Sequence, residues 1–445
     1  MSDMTPQEQL MLELINRARM DPNAEARRFH IGLNEGVSKG DRISAGAKEV
    51  LAGNDALGLA ATEHSQWMLL NDKFSHNENP GSPGFFGADP FDRMNNAGYA
   101  FSTAGENISF RATTADIDAA LATKMIIQQH RDLFVDKGIA GRGHRTNIML
   151  EGYQEIGISQ EIGKFKSGGT NFNASMVTQD FGAKTNQVFV TGVLYDDTNL
   201  DNFYGIGESQ NTDGLNVSAA GATTDVTGSG GGYELLFATG AGAKQISFGL
   251  AGTVTVDVVL ASTNVKIDVV NGNEVWTDSS ITGTSSNVVE IHALGIRQVH
   301  LEGADVAQAM YGNRVANILE GNGGDDTLDG GGGKDELRGG ADSDTFVFDN
   351  GDTGKTNAKA DTIVDFLQGT DTIDLEPWDA DSKKKNDQDF EFIGTQKFHK
   401  DAGELRFVQD GGDTFIQGDT NGDGKADFII RVQGTVNFAS TDFDL

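Results

Sequence analysis

Residues 321–346 read GNGGDDTLDGGGGKDELRGGADSDTF. Glycine and aspartate fill the stretch, and its bulky apolar residues are Leu328, Leu337 and Phe346, nine residues apart. In register the pattern covers GNRVANILE (312–320), GNGGDDTLD (321–329), GGGGKDELR (330–338) and GGADSDTFV (339–347). The unit is Gly-Gly-x-Gly-x-Asp-x-apolar-x, which predicts a tight glycine turn followed by a very short strand. Glycine suits a turn that visits positive φ and lets neighbouring backbones approach. One inward apolar residue in nine is too little core to offset the entropy of ordering the chain. The polar side chains must supply the rest. Asp326 and Asp344 fall on the same side of successive coils, as do Asn317 and Asp335, and hard oxygens at that spacing suit Ca²⁺. The segment is therefore expected to fold when calcium neutralises it.

The rest of the chain frames that expectation. Its 445 residues carry 66 acidic and 34 basic side chains, a net charge of −32. Such a charge argues against nucleic acid or an anionic membrane as the main partner, and bound multivalent cations relieve its self-repulsion. The absence of cysteine excludes disulfides, thiolate metal sites and cysteine catalysis. The start, MSDMTPQEQLMLELINRARMDP, reads as an amphipathic helix and not as a signal peptide, and no apolar run is long enough for a transmembrane segment. The expectation is a cytoplasmic chain or one exported by a route that does not read the N-terminus.

Residues 1–186 read as α+β, with helical periodicity over 10–18, LGLAATEHSQWMLLNDKFSH and IDAALATKMIIQQHRDLF. Short strands split by turn residues over 187–270 predict a small β-sandwich spacer, and 271–311 a β-rich lead-in. The roll follows over 312–350, then an acidic β region over 351–445. Two further stretches have calcium-loop spacing. In DDTNLDNFYGIGE (196–208), Asp197, Asn199 and Asp201 take positions one, three and five, Phe203 offers a carbonyl and Glu208 closes position twelve. In DTNGDGKADFII, Asp419, Asn421, Asp423 and Asp427 repeat the pattern, but Ile430 stands at position twelve, so a turn held by Asx bonds is the stronger reading. In the front domain, FSHNENPG, GENIS and GRGHRTNIM set His76, Glu106 and His144 in polar loops. These could converge as a metal site or pack loops together.

Residues 312–347 resemble the RTX β-roll repeats of proteins exported by type I secretion. ADTIVDFLQGTDTIDL and FEFIGTQKFHKDAGELRFVQDGGDTFIQGDTNGDGKADFIIRVQG resemble the C-terminal domain of serralysin-type metalloproteases, and the final TDFDL is similar to that group's uncleaved secretion signal. The resemblance implies a secreted, extracellular protein handled by the type I secretion apparatus. No His-Glu-x-x-His motif occurs, so protease function is not carried over.

Residues 5–183 resemble the CAP superfamily in its bacterial form, in the family's order: SH, GEN, GHR, EIGI, then TQDFG. That likeness implies an α-β-α sandwich whose cleft holds His76, Glu106 and His144, with His76 and His144 as candidate zinc ligands. The family's second acidic residue is expected near Gln128, Gln129 and His130, where this chain has none. Trp67, Phe74, Phe85 and Phe86 read as core, with the cleft rim as the alternative for Phe85 and Phe86 in their GFFG loop.

The combined expectation is a multidomain α+β and all-β chain: CAP α-β-α sandwich, small β-sandwich, parallel β-roll and C-terminal β domain. It binds Ca²⁺ and presents a cleft for a divalent metal or a small, lipid-like apolar ligand. A metal-dependent hydrolase with Glu106 as base, and an adhesin meeting a cell-surface target, are the alternatives. Circular dichroism of residues 300–445 is expected to change from coil to β on adding millimolar Ca²⁺, with Mg²⁺ failing to substitute because it resists dehydration.

Overall fold

The computed structural model describes residues 4–209, 211–249, 253–386 and 388–445. It forms two compact units, Met1–Ala251 with Leu260–Gly272, and Gly252–Val259 with Asn273–Leu445.

The first unit is built around four strands in the order β1 (Ala52–Gly53), β3 (Glu155–Ser167), β4 (Thr170–Ala183), β2 (Thr103–Thr113). Helices α1 (Pro6–Met20) and α5 (Ala119–Val135) pack together against this sheet, while α3 (Asp55–Leu70) lies on β3 and β4 beside α4 (Pro90–Asn96). The result is an α-β-α sandwich. Local chemistry sets the helix starts. Thr5 and Glu8 form a capping box at α1, Asn54 accepts from two amides at α3, and Asp118 caps α5. The short helices α2 (Pro22–Arg28) and α6 (Gly143–Ile148) complete the element. Trp67 and Met68 of α3 enter a core with Ile108, Phe165, Ala174 and Met176.

Residues 187–270 read as a separate spacer, yet 187–251 and 260–270 belong to the same compact unit as the α-β-α sandwich, and Gly252–Val259 belongs to the second unit. Strand β5 (Gln187–Tyr195) pairs antiparallel with Gly232–Ala238 and parallel with Val265–Val270. From the last of these, the buried Lys266 ammonium lies 2.7 Å from Glu13 of α1 and 2.6 Å from Asp268. Just before it, Asn264 donates to the carbonyls of Val50 and Gln154, at 2.9 and 2.8 Å, and accepts from the Phe189 amide. These groups are satisfied only when the strands and the α-β-α element are folded together. The fusion escapes sequence reading because Glu13 and Lys266 are far apart in the chain and Lys266 looks like an ordinary strand residue.

The second unit is a roll of two parallel ladders. One runs through Glu274–Thr277, Glu290–Ala293, Ala309–Tyr311, Thr327–Asp329, Thr345–Val347, Thr372–Asp374 and Phe443–Asp444. The other runs through Ile281–Thr284, His300–Glu302, Ile318–Gly323, Glu336–Ala341, Asp361–Ile363 and Phe428–Val432. The chain alternates between them. Ile291, Met310, Leu328, Phe346 and Ile373 stack from one side, and Leu301, Leu319, Leu337 and Ile363 from the other, each fully buried. A hairpin, Glu404–Asp410 with Asp413–Asp419, is inserted between the roll strands Thr372–Asp374 and Phe428–Val432 and pairs on to the latter.

The roll therefore starts well before residue 312, inside what reads as a lead-in. An inward apolar residue is enough to close a coil, whereas the legible repeat also needs its glycines and aspartate. In residues 303–311 the aspartate position is Gln308. Its side chain meets its own hydrogen-bonding needs, accepting from Ala304 at 2.6 Å and donating to the Val288 carbonyl at 2.7 Å.

The buried cation gives a test of the fused first unit. Lys266→Ala leaves Glu13 and Asp268 uncompensated and is expected to cost about 3–5 kcal/mol of that unit's stability. Denaturant titration read by hydrogen exchange in α1 and β5 measures it, and exchange in the roll should be unchanged.

Candidate functional site

The roll places its polar side chains in two ladders. On one side, Asp326 Oδ1 accepts from the Gln308 amide at 2.8 Å, Asp344 Oδ1 from Asp326 at 3.0 Å, and Asp371 Oδ1 from Asp344 at 3.2 Å. On the other, Asp335 Oδ1 accepts from the Asn317 amide at 2.7 Å and Asp361 Oδ1 from Asp335 at 2.8 Å. Each carboxylate thus holds the backbone of a preceding coil with one oxygen. The second oxygen of Asp326, Asp335 and Asp344 is buried and accepts no hydrogen bond. Asn317 turns its oxygen to the Asn313 amide at 2.8 Å, and its Nδ2 is buried without a partner. The glycines make room for the outward-pointing oxygens: a Cβ on Gly321 or Gly339 would lie 2.2 Å from Oδ2 of Asp326 or Asp344.

Burial, the largest cause, raises Asp326 to about 7, Asp335 to about 8, Asp344 to about 6 and Asp361 to about 7, with neighbouring carboxylates adding to the shift at Asp335 and Asp344. Unpaired buried carboxylate oxygens are costly, and an oxygen-seeking divalent cation removes that cost. The donor set fits Ca²⁺. Asp361 and Asp371 fall outside the nine-residue phase because they stand 26 and 27 residues beyond their partners, not 18. The recurring Asp-Thr-apolar triplet at 326, 344, 361 and 371 is the signal that could have found them.

The loop over 196–208 is folded by its own acids. Asp197 accepts from the amides of Asp201 and Asn202, Asn199 from Asp201, Asp201 from Phe203, and Glu208 from Gly205. Asn202 takes the left-handed conformation, φ 58°, that glycine more often occupies. The Phe203 ring lies under the Arg17 guanidinium at 4.7 Å. In the later loop, Asp419 accepts from the amides of Asn421, Gly422, Asp423 and Gly424, while Asp427 accepts from Thr420 and Asn421. Asp423 accepts from Lys425. Ile430 is buried in its strand.

In the first unit, a cleft of about 880 Å³ is lined by His76, Glu106, Asn107, His144, Asn147 and Tyr153 among others. Glu106 sits on β2, and its Oε1 meets His76 Nδ1 at 2.6 Å while its Oε2 accepts from Arg93 at 2.5 Å. His144 belongs to α6, and its Nδ1 meets Asp136 Oδ1 at 2.7 Å. Asp136 closes α5 in the left-handed conformation, φ 52°, so its carboxylate also accepts from the His144 amide. Each imidazole is thus fixed at Nδ1 by a buried carboxylate, which leaves Nε2 for the cleft. Gly105 must lack a side chain, since a Cβ there would lie 2.2 Å from the Tyr153 hydroxyl. Asn107 and Asn147 bond to each other at 3.0 Å and tie β2 to α6.

Beneath the cleft lies a buried polar network, in which His64 Nε2, Arg93 Nε and both Asp180 oxygens make no hydrogen bond. The fully buried Arg93 also donates to the His76 carbonyl at 3.0 Å and lies 3.7 Å from Glu78. His64 Nδ1 meets Glu78 Oε1 at 3.0 Å, and the amide of Phe86 donates to Glu78 Oε2. Burial pushes Glu78 up, but the hydrogen bonds from His64 and Phe86 and the charge of Arg93 bring it below its ordinary value. Asp180 stands opposite Glu106 in the β2–β4 ladder, where burial and the Glu106 charge hold it well above the usual carboxylate range.

Several expectations change here. The carboxylate that meets His144 comes from Asp136 and not from the Gln128–His130 stretch: Gln129 donates to the carbonyls of Ser109 and Ser175, and the buried His130 bonds Glu25 at 2.9 Å. The loop VDKGIAGRGH hid Asp136 because a helix ending, not a helix face, presents it. Both Glu106 oxygens are engaged, one by His76 and one by Arg93. Phe85 and Phe86 do not line the cleft. Among the described residues, His76 and His144 belong to no group of three metal-capable side chains with ligand atoms within 4.8 Å of one another.

A parallel roll with buried carboxylate ladders, carried with an α-β-α sandwich that has paired carboxylate–histidine contacts, defines the class. Residues 130–444 match the family described as Peptidase M10 serralysin C terminal, and residues 12–181 match the cysteine-rich secretory protein (CAP) family. The chain belongs to the serralysin C-terminal family and carries a CAP domain at its front. No curated protein matches it. Among solved structures, one similar chain is an extracellular protein containing an SCP domain from Bacillus anthracis str. Ames, at 19% identity and TM-score 0.21 over 41% of this chain and 44% of that one. Another is the AlgE6R3 subunit of the Azotobacter vinelandii mannuronan C5-epimerase, at 20% identity and TM-score 0.23 over 33% of this chain and 76% of that one.

The raised aspartates set a pH dependence. A carboxyl whose folded value lies above its unfolded value stabilises the fold at low pH and loses that contribution as pH rises through the folded value. In chelator, the roll is expected to be more protected from hydrogen exchange at pH 5 than at pH 8.5. Saturating Ca²⁺ should abolish the difference, and its binding should release protons.

Proposed function

We propose that the chain is a secreted calcium-binding protein, exported by type I secretion, whose roll folds on calcium outside the cell and whose CAP cleft binds a small ligand. The observation that carries the reading is the two ladders of buried carboxylates, Asp326 and Asp344 in one and Asp335 in the other, each with one oxygen committed to a neighbouring coil and one without a partner. Calcium supplies that partner. Asn317 lines the Asp335 ladder, and Asp197, Asn199, Asp201, Phe203 and Glu208 form a second calcium loop in the first unit. The loop holding Asp419, Asn421, Asp423 and Asp427 is served by its own amides.

The cleft reading rests on the two imidazoles. Buried carboxylates orient His76 and His144, as they orient metal-binding histidines elsewhere. A divalent metal such as zinc, or a ligand acceptor group, would meet their Nε2 atoms. Ile43, Ile139, Met149 and Leu150 give the same cleft apolar walls for a lipid-like body. Hydrolysis would need a base, and Glu106 is committed to His76 and Arg93. Binding is therefore favoured over turnover.

The test uses the calcium-saturated full chain. Zn²⁺ and a fluorescent fatty acid are titrated into the wild type and into His76→Ala with His144→Ala. Zn²⁺ affinity is expected to fall at least tenfold in the double variant, and neither protein should turn over peptide or ester libraries. Turnover by the wild type that disappears in the double variant would replace binding with hydrolysis.

A further inference from the structure

Strand His300–Glu302 buries Leu301 in the roll and turns His300 and Glu302 to the outer face. The parallel register sets Glu302 directly beside Glu320. Like charges in adjacent register positions destabilise a ladder, and the register places Arg338 next to Glu320, with its Nε 3.6 Å from Glu320 Oε1. Arg338 is shared with Asp365, 3.8 Å from its other end. The imidazole completes the cluster: His300 Nε2 lies 3.5 Å from Glu320 Oε2. One ligand atom from each of His300, Glu302 and Glu320 lies within 4.8 Å of the others.

One observation points beyond an ion-pair cluster. His300 Nε2 is sealed from solvent and makes no hydrogen bond, while the side chain as a whole is 36% exposed. The imidazole also borders a groove of about 550 Å³, whose wall includes neither Glu302 nor Glu320.

We propose that His300, Glu302 and Glu320 form a site for a borderline divalent cation of the zinc class on the outer face of the roll. One imidazole and two carboxylates suit such an ion, whereas Ca²⁺ prefers oxygen alone. The site is separate in chemistry from the aspartate ladders and does not depend on the reading of the CAP cleft. A similar trio, Glu274, Glu290 and His292, is already satisfied: His292 stacks between Trp276 and Tyr311 at 4.1 and 4.5 Å and bonds Glu290 at 2.9 Å.

The experiment uses the full chain saturated with Ca²⁺, carrying His76→Ala and His144→Ala so that the cleft contributes nothing. Co²⁺ is titrated and its visible absorption recorded. One Co²⁺ per chain is expected, with bands of imidazole ligation, displaced by stoichiometric Zn²⁺ and not by millimolar Ca²⁺. Adding His300→Ala should remove the bands and weaken binding at least tenfold, and His292→Ala should leave both unchanged. Absence of Co²⁺ binding in the parent, displacement by Ca²⁺, or an unaltered spectrum in His300→Ala would overturn the site. If His300→Ala loses the calcium-induced circular dichroism of the parent, Glu302→Gln decides: at least tenfold weaker Co²⁺ binding supports the site, and unchanged binding overturns it.

Discussion

The hydrogen bond from a coil's amide to an aspartate one full turn further along organises the second unit. It joins neighbouring coils through polar atoms where a larger protein would use a thicker apolar core. The arrangement commits one oxygen and exposes the valence of the other inside a crowded turn. A fold built this way is short of stabilisation until a cation arrives, since buried charge without a partner is among the least favourable groups a protein can hold. The inward column of Leu328, Leu337 and Phe346 sets the cross-section, and the carboxylates set the condition under which it persists.

The first unit handles its polar burden differently. Arg93 and Lys266 are internal cations that neutralise Glu106 and Glu13 without any outside ion. Their networks do separate jobs. The Arg93 cluster stiffens the floor of the cleft, so that His76 is held by a carboxylate that cannot swing away. The Lys266 cluster fastens the Val265–Val270 strand to α1. Burial of such pairs contributes little net stability against apolar replacements, but breaking one partner is costly, so both clusters make the unit specific more than strong.

How much of this was legible in the residues depends on whether the relevant spacing is local. The nine-residue phase exposed the roll and four ladder positions. It lost the ladder where loops grew to 26 and 27 residues, and where Gln308 replaced an acid with a self-satisfied amide. The order of SH, GEN and GHR located the cleft, because each motif residue has a contact of its own, down to Gly105 yielding to Tyr153. Asp136 was hidden because its role follows from a left-handed helix ending. The joining of the sandwich to the front domain was hidden because it depends on pairs such as Glu13 and Lys266, which no periodicity connects.

The parallel ladders also constrain how this molecule can vary. Adjacent strands in a sheet are about 4.8 Å apart, and each ladder advances by one strand for every complete circuit of the chain. Insertions between circuits can be accommodated as longer bends, as the wider spacing before Asp361 and Asp371 shows. A residue added within a circuit would rotate apolar side chains outward and carboxylates inward. Lineages of this architecture should therefore differ in size by quantised steps, gaining or losing entire windings together with their share of negative charge.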